Sequence, residues 1–265
     1  MSLAIFGGEL PTFRPVAADG SGTLPDLSRR VLLADSGMGG LSVLREVRKA
    51  LPEVGLLYLA DAHAFPYGDW DEAALREHLV RLLVRLAKDW HVSAVVVACN
   101  TASTIVLPQL RAALTVPVVG TVPAIKPAAA ATRSGLIGVL ATPGTAAREY
   151  TAALIAEFAG KSHVKLVGAR RLAQLAEDKL AGRHVDLTVL SDEIAPCFVC
   201  EGRRRTDVVV LGCTHYPLLL DELREVAPWP VQFIDPAAAI ARRLRSVLAG
   251  GAVSTCADTV FLRSV

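Results

Sequence analysis

Two cysteines stand where two apolar runs stop. Cys99 ends the run in "AVVVACNTAS" (94–103), and Cys213 ends the run in "DVVVLGCTHYP" (207–217). A thiol with the ordinary pKa of ~8.5 keeps a few per cent of thiolate near neutral pH, enough for acid/base work without a cofactor. One thiol exchanges a proton on one side of a carbon only. Two thiols on opposite sides take the proton from one face and supply it from the other, which inverts a stereocentre. The doubled motif points to a pair of proton carriers rather than to a single nucleophile.

The neighbours of each cysteine fit that chemistry. Residues two apart in extended backbone share a face, which predicts His215 near Cys213. A histidine there accepts the thiol proton or, when charged, favours the thiolate. Asp35 ends the first strand and falls beside Cys99 if the two strands are neighbours. A carboxylate disfavours a thiolate, so Asp35 is expected to accept a proton or to bind a substrate ammonium. These loops hold no arginine, which leaves substrate carboxylates to backbone N–H groups at helix N-termini. Ser36, Asn100, Thr101, Thr142, Thr145 and Thr214 lie at strand-to-helix turns where such groups converge. Hydroxyls, amides and one acid suit a small amino acid.

Alternating strands and helices must position these residues. "RVLLAD", "GLLYLAD", "SAVVVACN" and "VPVVG" read as strands, and continuous apolar runs of this kind suit a sheet buried on both faces. Between them, "LSVLREVRKAL" places Leu41, Leu44, Val47 and Leu51 at helical spacing, and "DEAALREHLVRLLVRLAKDW" is amphipathic. "TASTIVLPQLRAAL" reads as helical with a kink or break at Pro108. A second series follows, with strands "GLIGVLAT", "VKLVGA", "DVVVLGC" and "VQFID". A helix over "DLTVLSDEIAPCFVCEG" is expected to be interrupted at Pro196.

The fold class is therefore α/β: two similar lobes, each a mainly parallel sheet flanked by helices, with the site in the cleft between them. We expect an N-terminal extension over 1–29, loose and without visible chemistry. A first lobe is expected over 30–122 plus 232–265, and a second over 123–231. "VLLADSGMGG" parallels "GVLATPGTAA", and "VVVACNTA" parallels "VVVLGCTH".

Composition narrows the class. The chain has 265 residues, 52% hydrophobic and 20% charged, so a large core is available. A net charge of +2 gives no nucleic-acid footprint. The run Arg203–Arg205 reads as a solvated loop. No apolar stretch reaches the ~18–20 residues of a membrane span, and the N-terminus does not read as a signal peptide. With 5 cysteines, an odd number, a disulfide framework is a poor explanation, and reduced thiols in the cytoplasm are expected.

"DSGMGGLSV", "PYG", "ACNTAS" and "LGCTHYP", in this order, closely resemble the bacterial glutamate racemases, from about Val31 to the last helix. The resemblance implies cofactor-independent interconversion of L- and D-glutamate through a carbanion-like state, with the product supplying peptidoglycan. It implies catalytic roles for Cys99 and Cys213, the first thiol acting on D-glutamate and the second on L-glutamate. Asp35 and Ser36 look like the family's first binding loop, and Tyr67 with Gly68 the second. Asn100 with Thr101, and Thr214 with His215, match further contacts, and Glu177 matches the acid that supports the histidine. The chain departs from the family at Ala62, where many members have threonine, and at Ala141, where glycine is usual. The partner implied is a small-molecule substrate, with a homodimer left open as the assembly. Aspartate as substrate, and a non-catalytic amino-acid-binding or interaction protein on the same scaffold, are the alternatives.

Other features read plainly. Cys197 and Cys200 have C-x-x-C spacing, but a zinc site needs about four ligands and no second C-x-x-C is present; packing on a helix is expected. Cys256 reads as a small buried hydrophobe. "DSGMGG" lacks the Gly-Lys-Ser/Thr ending of a phosphate loop and the G-x-G-x-x-G spacing, and reads as a tight turn. Tyr67 and Gly68, taken without the resemblance, read as an ordinary turn. Lys126 has no phosphate cup near it that would suit pyridoxal phosphate. His63, His78, His91, His163 and His184 show no partner pattern and read as surface or satisfied helical side chains.

Overall fold

The computed structural model describes residues 13–16, 29–250, 253, 255 and 257–264. Cys256 lies outside the described residues. Among the described residues the strands are β1 (Phe13–Val16), β2 (Val31–Asp35), β3 (Leu56–Ala60), β4 (Ala94–Val97), β5 (Val118–Gly120), β6 (Leu136–Ala141), β7 (His163–Gly168), β8 (Cys200–Glu201), β9 (Arg204–Arg205), β10 (Val208–Gly212), β11 (Gln232–Ile234) and β12 (Thr259–Ser264). The helices are α1 (Leu41–Ala50), α2 (Glu72–Asp89), α3 (Asn100–Ala113), α4 (Ile125–Ala131), α5 (Pro143–Ala146), α6 (Glu149–Phe158), α7 (Leu172–Leu180), α8 (Leu187–Ile194), α9 (Leu220–Val226) and α10 (Ala237–Leu248).

Two parallel sheets organise the described residues, in the expected α/β class. The first runs β1-β12-β3-β2-β4-β5, and all its pairs are parallel except β1 with β12. The second runs β11-β10-β6-β7, all parallel. Both faces of each sheet are covered, which explains the unbroken apolar runs. In β2, Leu32 and Ala34 face the core under α2 and α3, while Val31 and Leu33 face the core under α1 and α10. In β10, Val209 and Leu211 pack towards α7, α8 and α9, and Val208 and Val210 towards α4 and α6. Helix α2 shows the matching stripe of Leu75, Leu79, Leu82, Leu83 and Leu86, and Asp71 caps it by accepting from Ala74 N–H at 3.0 Å.

Four expectations are corrected. Gln232–Ile234 pair with β10, so the chain does not return to the first lobe at 232; α10 makes the return, packing its buried face into the first lobe's core. Within the N-terminal extension, 13–16 supply an edge strand on β12, whose own apolar run was not read as a strand. Helix α3 continues through Pro108, which is exposed, because buried Ile105, Val106, Leu107 and Leu110 hold both halves on the sheet. The helix expected over 186–202 stops at Ile194. A 3-10 turn follows over Ala195–Cys197, then the antiparallel ribbon of β8 and β9. Cys197 and Cys200 therefore do not share a helix. Cys197 is buried, where a Cβ on Gly138 would meet its Cβ at 2.9 Å, and Cys200 is exposed.

Candidate active site

The carboxyl ends of β2, β4, β6 and β10 converge on one cleft, as open parallel sheets favour. It holds about 320 Å³ of space between atoms, part of it open to solvent. Ser36, Tyr67, Gly68, Cys99, Asn100, Thr101, Thr142, Cys213 and His215 line it, so both thiols face the same space from different sheets. Asp35, Thr145, Thr214 and Glu177 do not line it but stand behind residues that do. Phe65, Pro66 and Ala173 also line it and were not singled out in the sequence.

The two thiols have different surroundings. Cys99 is the N-cap of α3. Burial pushes its thiol well above the ordinary value, and the nearby Asp35 charge adds to this, against the N–H groups of Ala102 and Thr101 directed at the sulfur. Cys213 Sγ lies 3.8 Å from His215 Nδ1. This proximity has a different origin from the one expected. The strand ends at Gly212, and a turn brings His215 back towards Cys213 at the start of a 3-10 helix over Tyr216–Leu219.

His215 is 2% exposed. Burial alone would lower its pKa, but hydrogen bonds with Cys213 and Glu177, together with the charges of Cys213 and Asp35, push it up to about 10. Its Nε2 lies 2.7 Å from Glu177 Oε1. Burial alone would raise Glu177; bonding to His215 and to the Met38 N–H, donated at 2.8 Å, holds it below the usual carboxylate value. Glu177 on α7 thus joins the second lobe's histidine to the first lobe's glycine loop.

"DSGMGG" owes its glycines to this crossing. A Cβ on Gly37 would come within 2.5 Å of Glu177 Oε1, and one on Gly39 within 2.4 Å of His215 Nδ1. Gly40 likewise leaves room for Asp35 and Tyr58. The loop is a bare backbone surface on which the facing pair rests.

Asp35 is 1% exposed. It accepts from Gly37 N–H at 3.1 Å and from the Thr214 hydroxyl at 3.0 Å. Burial raises its pKa, and the His215 charge and these bonds oppose the rise. On the other wall, the hydroxyls of Thr101, Thr142 and Thr145 form a triangle with all three separations 3.0 Å. Thr101 belongs to the first lobe and the other two to the second. Asn100 is buried in the wall of the cleft, and both its amide atoms are without a partner among the described residues. A buried amide of this kind is costly unless a ligand satisfies it. His78, read as having no partner pattern, does have one: its Nε2 lies 2.7 Å from Asp61 Oδ2.

Among the described residues, no helix is long and apolar enough to cross a membrane. Comparison with known proteins places this geometry. The sequence profile of the Asp/Glu/Hydantoin racemases matches residues 42–244. The chain is 54% identical to the glutamate racemase of Brucella anthropi over 224 residues, covering 84% of this chain and 81% of that protein. It is 52% identical to that of Brucella ovis, covering 83% and 80%. The crystal structure of Escherichia coli glutamate racemase with L-glutamate and the activator UDP-MurNAc-Ala superposes with a TM-score of 0.79 at 45% identity, over 84% of this chain and 83% of that one. A glutamate racemase isoform of Bacillus anthracis gives 0.73 at 29% identity, over 87% and 86%. The chain belongs to the Asp/Glu/Hydantoin racemase family.

Proposed function

We propose that the protein is a glutamate racemase that works by two-base proton transfer and needs no cofactor. The observation that carries this reading is the pair of thiols, one from each lobe, lining one cleft with unlike proton environments. The high identity to glutamate racemases over most of the chain supports glutamate as substrate.

The environments suggest a direction for each thiol. Cys99 is held as the neutral thiol and is ready to donate. Cys213 has His215 beside it, and a charged imidazole favours a neighbouring thiolate. For L-glutamate, Cys213 takes the α-proton on one face, and Cys99 returns one on the other. The reverse reaction exchanges the roles, with Asp35 close enough to Cys99 for its charge to act on the thiol. The carbanion-like state needs its developing carboxylate charge stabilised in a water-poor site. The partnerless Asn100 amide and the threonine triangle are the donors on hand. Asp35 balances a substrate ammonium, and Glu177 keeps His215 charged and oriented. The four described cysteines are free thiols, which suits a reducing cytoplasm, where D-glutamate would feed peptidoglycan synthesis.

The test is a chiral assay of purified protein with L- and with D-glutamate, no pyridoxal phosphate or metal added, and aspartate as control. Racemisation of glutamate, with solvent deuterium entering the α position of the product, is expected. Absence of α-proton exchange despite tight glutamate binding would leave a binding protein on the same scaffold. Faster turnover of aspartate would reassign the substrate.

A further inference from the structure

The second loop of the cleft is held from outside it. Tyr67 and Gly68 line the cleft. The Tyr67 side chain is 3% exposed, and its hydroxyl donates to Asp61 Oδ2 at 2.8 Å. Burial keeps Tyr67 protonated, with the charge of the bonded Asp61 adding to the effect. Asp61 follows β3 and is fully buried, and its Oδ1 has no partner among the described residues. A buried carboxylate with one oxygen unpaired is held in place only by strong bonds to the other. Here Oδ2 takes both the Tyr67 hydroxyl and His78 Nε2, the latter at 2.7 Å.

His78 comes from the second turn of α2, a rigid 18-residue helix, and Trp70 packs its ring against the imidazole at 5.4 Å. The line thus runs from a helix on the outer face, through a buried acid, to a tyrosine in the cleft wall. Gly68, the next residue, is also where the lobes meet: a Cβ on Gly144 would lie 3.2 Å from Gly68 Cα. A shift of Tyr67 would therefore disturb both the wall beside Cys99 and the fit of one lobe on the other.

We infer that His78 is a positioning residue for the reaction proposed above: through Asp61 it fixes Tyr67 and Gly68 against the bound substrate. This inference rests on the racemase reading. It assigns His78 no proton transfer and no contact with substrate.

Steady-state kinetics of four variants test it, with thermal unfolding of each as a folding check. His78→Ala is expected to raise KM for glutamate about tenfold, as for loss of one hydrogen bond to a charged group, while kcat changes by less than about twofold. His78→Gln, which keeps an N–H donor on a side chain of similar reach, is expected to recover most of the loss. Tyr67→Phe keeps the ring but releases Asp61, and should raise KM to a similar degree. The double variant His78→Ala/Tyr67→Phe should be no worse than the worse single one, because both break the same line. An unchanged KM in folded His78→Ala, or independent multiplication of the two effects, overturns the inference. If His78→Ala does not fold, an unchanged KM in Tyr67→Phe overturns it equally. An inactive wild type would instead overturn the racemase reading.

Discussion

His215 is gripped from two sides, its Nε2 2.7 Å from the Glu177 carboxylate and its Nδ1 3.8 Å from Cys213 Sγ. Among the described residues Cys99 has no such side-chain partner; backbone N–H groups and a nearby carboxylate surround it. The two sides of the cleft are thus unequal, although the lobes that present them share one architecture. Inequality suits a two-base reaction, in which one group starts with its proton and the other without.

Removing either thiol should stop racemisation. General acid–base groups contribute typically 10²–10⁴-fold, so Cys99→Ala and Cys213→Ala are each expected to lower turnover by at least about a hundredfold in both directions. Circular dichroism of glutamate solutions follows the conversion. Wild-type turnover in either single variant would end the two-thiol mechanism.

Glu177→Gln removes a partner that helps raise His215. The histidine pKa, pushed up to about 10 from its ordinary 6.5, should fall. The basic limb of the pH–rate profile should then move to lower pH, with a larger loss at pH 9 than at pH 7. Stability follows the same linkage. A raised histidine contributes fully below about pH 6.5 and loses its contribution as pH rises through about 10. A lowered carboxylate contributes above its ordinary 4.5 and loses its contribution as pH falls through its folded value. The melting difference between wild type and Glu177→Gln should therefore peak between about pH 4.5 and 6.5. A difference that grows from pH 7 to pH 10 contradicts this account.

Much of the site was legible because strand ends carry it. The apolar runs before Cys99 and Cys213 suited a sheet buried on both faces, and parallel sheets put their carboxyl ends together. What escaped depends on contacts between elements distant in the chain. The His78–Asp61 bond needs α2 to lie across the end of β3, and no periodicity announces it. The glycines of "DSGMGG" looked like a turn, whereas their spacing clears Glu177 and His215 of the other lobe. Strand β11 was assigned to the wrong lobe because a three-residue strand gives no sign of its neighbour. Cys200 was placed on a helix because the C-x-x-C spacing matches one helical turn, whereas the interruption expected at Pro196 is a full stop at Ile194 followed by a ribbon.

Asp207 should matter to stability and not to turnover. Its carboxylate accepts from the Thr132 hydroxyl at 2.6 Å and from the N–H groups of Arg133 and Ser134 at 2.7 and 2.9 Å. Burial alone would raise its pKa, but these bonds hold it below the usual value. It lies at the start of β10, opposite the cleft end. Asp207→Ala should cost about 2–4 kcal/mol, a fall of roughly 5–15 °C in Tm at about 2–4 °C per kcal/mol, with kcat at 25 °C unchanged. The depressed carboxylate contributes above its ordinary value of 3.8 and loses that contribution as pH falls through its folded value. The two melting curves should converge in that acid range. A Tm difference that persists undiminished there assigns the effect to packing instead.

Gly39→Ala tests the bare surface under the histidine. A Cβ there would sit 2.4 Å from Nδ1 and 2.7 Å from both Cγ and Cε1 of His215. The ring cannot retreat easily, because Glu177 holds its far nitrogen at 2.7 Å and Phe65 packs beside it with ring centroids 5.5 Å apart. Either the bond to Glu177 or the approach to Cys213 must give way. Displacement of a catalytic group by about 1 Å costs up to about a hundredfold, so kcat should fall by about 10- to 100-fold in both directions. The loss should appear in a protein that still melts cooperatively. Unchanged kinetics in Gly39→Ala would mean that the lobes separate enough during turnover to free the ring from the loop.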